Sequence, residues 1–218
     1  MVNPLIRRYP KRVNKPLPNK SAGILDDYAD RKVINSQELY TNELLLTDTV
    51  WDDMRTPANN AKKVPGKEAK DVVYKGGVIL NFESAKDQAI AFNVQLSHAY
   101  KLGTDLEFHA HLIYPVADTG NSRWVFTYSW ADIDGTFPTE TPVVEVEASP
   151  NVEDYHQMAV MTTTIPGAAI AGVSSMLICS LTREGTDATD TLLQDVYCAE
   201  VDFHYQIDTI GSKTRTTK

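Results

Sequence analysis

The amino-acid sequence predicts an all-β protein: one antiparallel β-sandwich of about eight strands, jelly-roll-like, preceded by an extended N-terminal arm. Three observations predict it. Apolar and polar residues alternate strictly in four separate stretches, the period-two signature of strands with one face on a core. Gly-, Asp- and Asn-rich turn chemistry stands between the stretches, and no internal repeat competes. The first 20 residues hold four prolines and six cations without a single acid, which leaves them no means of building a core.

Residues 1–22, with Pro4, Pro10, Pro16 and Pro18, read as the arm, because proline fixes φ and removes a backbone donor. Arg7, Arg8, Lys11, Arg12, Lys15 and Lys20 make it basic. The 218-residue chain carries a net charge of −8, so the remainder holds 15 basic against 29 acidic side chains, a balance of −14. A basic arm on an acidic body reads as an interaction tail. Its partner-binding residues are Arg7, Arg8, Lys11 and Arg12, with Tyr9 in the apolar part of the contact; a merely solvated tail is the alternative. Residues 23–70 read as a linker or docking segment. Ser36–Glu38 with Leu39 and Leu44–Leu46 would suit a short helix, Leu45–Trp51 would equally suit a strand, and Pro57–Lys70 reads as a loop.

The sandwich is expected over residues 71–213. Ile90, Phe92, Val94 and Leu96 alternate with Ala91, Asn93 and Gln95. Leu106, Phe108, Ala110, Leu112 and Tyr114 alternate with Glu107, His109 and His111. Trp124, Phe126, Tyr128 and Trp130 alternate with Arg123, Thr127 and Ser129. Tyr197, Ala199, Val201, Phe203, Tyr205 and Ile207 alternate with Cys198, Glu200, Asp202, His204 and Gln206. Val72–Phe82, Pro142–Glu147, Gln157–Ile165 and Ser174–Arg183 are weaker strands. Cys179 and Cys198 fall inside strand-like segments and, without an export signal at the start of the chain, read as two reduced, half-buried thiols. The most apolar run, Ile165–Leu181, is broken by Pro166, Gly167, Gly172, Ser174 and Ser175, so no membrane partner is expected.

Gly103-Thr-Asp-Leu-Glu-Phe-His109-Ala-His111 is the most suggestive chemical motif. Period two sets both imidazoles on one face, as in the first half of a cupin metal motif. The glutamate that should follow is absent, as is any second half with a third histidine. Two ligands are too few for a catalytic ion. The expectation is therefore no metal and no cofactor, with His109 and His111 paired at the surface or an interface. Asp132, Asp134 and Gly135 begin like a calcium loop but lack its helix and terminal glutamate, and turn aspartates are the ordinary reading. Trp124–Phe126–Tyr128–Trp130 would suit sugar stacking, but strict alternation reads first as a core. No nucleophile elbow, Cys-x-x-Cys, phosphate loop or dinucleotide fingerprint occurs. No catalytic residue is assigned, and the protein is expected not to be an enzyme.

Four blocks resemble one family. Val50-Trp-Asp-Asp-Met-Arg-Thr-Pro57, Leu96-Ser-His-Ala-Tyr-Lys-Leu-Gly-Thr-Asp-Leu-Glu-Phe-His-Ala-His-Leu112, Arg123-Trp-Val-Phe-Thr-Tyr-Ser-Trp-Ala-Asp-Ile-Asp-Gly-Thr-Phe137 and Asp202-Phe-His-Tyr-Gln-Ile-Asp-Thr-Ile-Gly-Ser212 are similar to segments of virion proteins of tailed phages. The resemblance covers residues 50–213 and departs at Ser97, where proline is usual. It implies a particle component, a β-sandwich oligomer with trimers favoured, located in the virion. The leading expectation is a capsid cement or head-decoration protein whose arm binds the major capsid protein or other virion proteins; packaged nucleic acid is the lesser target. The alternatives are a tail, neck or fibre component that binds a receptor glycan, and, from another class, a cupin-like metal enzyme.

Overall fold

A computed structural model describes residues 49–212, 214 and 215. Eleven strands follow one another: β1 (Val50–Pro57), β2 (Lys62–Lys63), β3 (Lys70–Tyr74), β4 (Gly77–Phe82), β5 (Asp87–Gln95), β6 (Glu107–Tyr114), β7 (Asn121–Ala131), β8 (Thr141–Ala148), β9 (Tyr155–Val160), β10 (Met176–Glu184) and β11 (Val196–Ile207). One sheet runs β3–β4–β11–β6–β9, with β1 added along β11; the other runs β2–β5–β10–β7–β8. All the strand pairings are antiparallel. With β1–β3 set aside, the orders β4–β11–β6–β9 and β5–β10–β7–β8 are those of a jelly roll, two Greek keys folded into facing sheets. The expected all-β sandwich is thus the observed fold.

Alternation decides which side chains meet between the sheets. Phe92, Leu106, Phe108, Trp124, Phe126, Tyr128, Val201, Phe203 and Tyr205 are all buried. Phe108 stacks on Phe126 with ring centroids 3.9 Å apart and packs against Phe203 at 5.2 Å. Each such ring contributes about 1.5–3 kcal/mol through removal from water. The aromatic row of β7 is therefore core and not a sugar platform. Trp124 meets Phe82 edge-on at 5.1 Å, and its indole N–H donates to Ser122 Oγ at 2.9 Å, so burial leaves its polar atom satisfied.

Several expectations are corrected. The sandwich begins before residue 71: β1 pairs along β11 from Val50↔Ile207 to Pro57↔Glu200. Its alternation is hidden because it is added at the margin of the sheet, where Asp52, Asp53 and Arg55 stay exposed. Val72–Phe82 is two strands, because Lys75 (φ 46°) and Gly76 (φ 86°) form a tight hairpin turn. In β11 a bulge between Cys198 and Glu200 shifts the register. One extra residue inverts the faces, so Val196 and Cys198 point inward where Tyr197 and Ala199 were expected. Both cysteines are fully buried and free. Burial pushes the Cys198 thiol up to about 12 and raises Cys179 as well. Of residues 23–48, read as helix or strand, none is among the described ones. No helix of the described residues is long and apolar enough to cross a membrane.

Candidate functional site

The outward face of the first sheet concentrates titratable side chains. Glu107, His109 and His111 alternate outward along β6, and Glu200, Asp202 and His204 alternate outward along β11. The register sets Asp202 opposite His109, Glu200 opposite His111 and His204 opposite Glu107. On the other side of β11, Asp53 of β1 stands opposite His204 and Arg55 opposite Asp202. β9 brings His156 alongside. Non-local pairing gathers what the sequence keeps far apart.

A chain of contacts crosses this face. His156 Nε2 lies 2.8 Å from His111 Nδ1, and His111 Nε2 lies 3.4 Å from Asp202 Oδ2. If His156 Nε2–H donates to His111 Nδ1, then His111 Nε2–H is left to face the carboxylate, and one tautomer satisfies both contacts. His204 Nε2 stands 3.0 Å from Asp53 Oδ1, and the His204 ring meets His109 edge-on, centroids 3.8 Å apart. Arg55, although opposite Asp202, gives its guanidinium fork to Glu200, at 2.5 and 2.9 Å.

Two atoms are left over. His109 is 1% exposed and Asp202 2%, and neither His109 Nδ1 nor Asp202 Oδ1 has a hydrogen-bond partner. They face each other across 3.8 Å, too far for a hydrogen bond. Burial, with the cationic tendency of His204 and His111 adding to it, holds the His109 imidazole down at about 4. Burial also raises the Asp202 carboxyl. The face sets imidazole nitrogen beside carboxyl oxygen, the donor types that hold a divalent transition ion. Three overlapping groups bring one ligand atom from each residue within 4.8 Å of the others: Glu107–His109–His204, Asp53–Asp202–His204 and His111–Glu200–Asp202.

Sequence reasoning found His109 and His111 and discounted them for want of a third ligand. The structure removes that reason, since Asp202 and His204 of β11 stand beside them. It also corrects their placement: His109 is buried and is not a surface histidine. The signal that could have found the rest was a second outward pair at i, i+2, Asp202-x-His204, matching His109-x-His111. Asp132 is committed elsewhere: its carboxylate accepts from the Ala171 and Gly172 amides at 3.3 Å and from the Ser175 hydroxyl. A cavity of about 330 Å³ is lined by Thr56, Asn60, Lys62, Ala91, Phe92 and Asn93, one cation among otherwise neutral groups. Arg7, Arg8, Tyr9, Lys11 and Arg12 lie outside the described residues.

No family model matches the chain, and no curated protein does. Solved structures match the chain at low likeness. They include an isomalto-dextranase of Arthrobacter globiformis T6 (15% identity over 69% of this chain, TM-score 0.43) and an exo-β-1,3-galactanase of Phanerochaete chrysosporium (8% over 70%, TM-score 0.42). Tailspike protein 4 of bacteriophage CBA120 matches at 9% identity over 72% of this chain, TM-score 0.33. This chain spans only 23%, 29% and 19% of those three proteins. These likenesses extend to the sandwich alone. Glycan-cleaving enzymes are among these matches, so the expectation that the protein is not an enzyme is not kept.

Proposed function

We propose that the protein is a structural subunit of a tailed-phage virion, and more narrowly a capsid cement or head-decoration protein. One observation carries the reading. Three of the four blocks that resemble phage virion proteins lie on β1, β6 and β11, adjacent strands of one sheet. Blocks separated by up to about 150 residues in sequence therefore form one contiguous surface, as shared ancestry of a whole domain requires.

The molecule meets its own copies through the outer face of β5–β10–β7–β8. At its centre stand Val125, Thr127, Val144, Ile178 and Ser180, with Val144 and Ile178 exposed. No charge stands among them. On a body with a balance of −14, this is where two copies approach with least repulsion. The basic arm, opposite in sign to the body, attaches the oligomer to the major capsid protein or another virion protein. Its arginines provide bidentate pairing with carboxylates. Single exposed pairs contribute about 0–1 kcal/mol each, so attachment rests on the cluster.

Deleting residues 1–22 tests this. The product is expected to fold and oligomerise, with trimers favoured, yet to fail to join particles or to leave them at much lower salt. Val144→Asp with Ile178→Asp is expected to give folded monomers by light scattering. A truncated protein that decorates heads as well as the full chain does would refute arm attachment. Density on the tail of the intact particle would refute the head position and leave the tail, neck or fibre alternative.

A further inference from the structure

We propose that the outward face of β1–β11–β6 is a binding site for one divalent transition ion, zinc foremost, held by Asp53, Asp202 and His204, with the orphaned His109 Nδ1 beside Asp202 Oδ1 at its inner side. The argument starts from the two orphaned atoms. A buried carboxylate oxygen and a buried imidazole nitrogen without partners are costly, about 1–3 kcal/mol each, and both point into the same gap. Two ligands of one tetrahedral zinc, at about 2.0–2.1 Å from it, stand about 3.3 Å apart. The observed 3.8 Å needs only a small side-chain adjustment.

The surroundings are those that orient ligands. Asp202 Oδ2 is turned toward His111 Nε2, which leaves Oδ1 free to coordinate. His109 Nε2 stands 3.9 Å from Glu107, beyond hydrogen-bond reach, and its Nδ1 has no partner. His204 Nε2 faces Asp53. Asp202 thus has its second oxygen directed to an outer partner, an arrangement that orients a ligand at metal sites. Charge points the same way. Asp53, Glu107, Glu200 and Asp202 stand against one guanidinium, that of Arg55, and it is bound to Glu200. The face lacks positive charge where its buried carboxylate needs it. His204 is the pivot, within one-ion reach of His109 and Glu107 on one side and of Asp202 and Asp53 on the other. The ion ties β1 to the strands it borders. The chain's other histidine, His98, contacts Ser174 and Ser212 and serves as the control.

The test uses the tag-free full chain, stripped with chelator and titrated near neutral pH with zinc or cobalt(II) alone. Stoichiometric binding is expected, with visible bands of low-coordinate cobalt and a thermal midpoint raised by zinc. His109→Gln and His204→Gln are each expected to weaken binding by about tenfold or more and to abolish the midpoint shift; His98→Gln is expected to change neither. Should His109→Gln fail to fold, the partly exposed His204 decides alone. Absence of stoichiometric binding, or binding that survives in His204→Gln, overturns the proposal.

Discussion

Arg183 sits on β10 at an inward position and has no exposed surface. Its Nε and Nη2 grip Asp190 at 2.9 Å, Nη1 donates to Phe82 and Gln194 carbonyls at 3.0 Å, and Nη2 reaches the Leu192 carbonyl at 3.1 Å. All five N–H groups are used, a fork that lysine cannot reproduce. Asp190, equally buried, also accepts the Arg123 amide at 3.0 Å. Arg183→Met is therefore expected to destabilise the fold by about 3–5 kcal/mol, because it strands a buried carboxylate. Urea denaturation measures this, and a loss below about 1 kcal/mol would show that Asp190 finds another partner. Nothing in the sequence marked this arginine, since an inward charge in an alternating strand reads as an interruption of the core face. The pairing that justifies it comes from the loop that follows. His109 misled in the opposite sense: period two gave its face correctly, but burial came from neighbours on β11 that period two does not name.

At the scale of elements, strands with one polar face were legible, and those whose alternation is masked were not. β5, β6 and β7 read directly because their outward residues are polar or small. β11 read correctly only beyond its bulge, and β1 escaped because its inward residues, Met54 and Thr56, are few and only partly buried. Connections also carry constraints that composition hides. The loop from β9 to β10 docks on the loop from β5 to β6 through the Leu106–Ile165 bridge, while the Gly167 amide donates to Asp105 at 3.0 Å. A Cβ on Gly167 would stand 1.7 Å from the Thr104 carbonyl oxygen, which is backbone and cannot turn aside. Gly167→Ala is expected to push the two loops apart and lower stability by about 1–3 kcal/mol. Amide exchange would show the effect first at Leu106 and Ile165; unchanged protection there would mean that the loops dock without this close approach.

At the scale of the molecule, the described residues form a jelly roll whose two outer faces differ. One carries no charge at its centre, where Val125, Thr127, Val144, Ile178 and Ser180 stand. The other gathers imidazoles and carboxylates. The sequence predicted the sandwich because alternation and turn chemistry agree along the chain. It left the cluster hidden because strand order is a non-local property, and only pairing places residue 53 beside 204 and 109 beside 202. The pairing of β1 with β11 also governs how the chain reaches its fold. β11 is central to its sheet, flanked by β1 and β4 on one side and β6 on the other, yet it follows all of them in the chain. During synthesis β1 has no ladder partner, and β4 and β6, paired only with β3 and β9, each keep one edge open until residues 196–207 have left the ribosome, so those edges wait open to association. Closure then spans about 150 residues. Such topology folds on the order of milliseconds to seconds, not microseconds. Stopped-flow refolding is expected to show that regime, and chains cut short before Val196 are expected to aggregate.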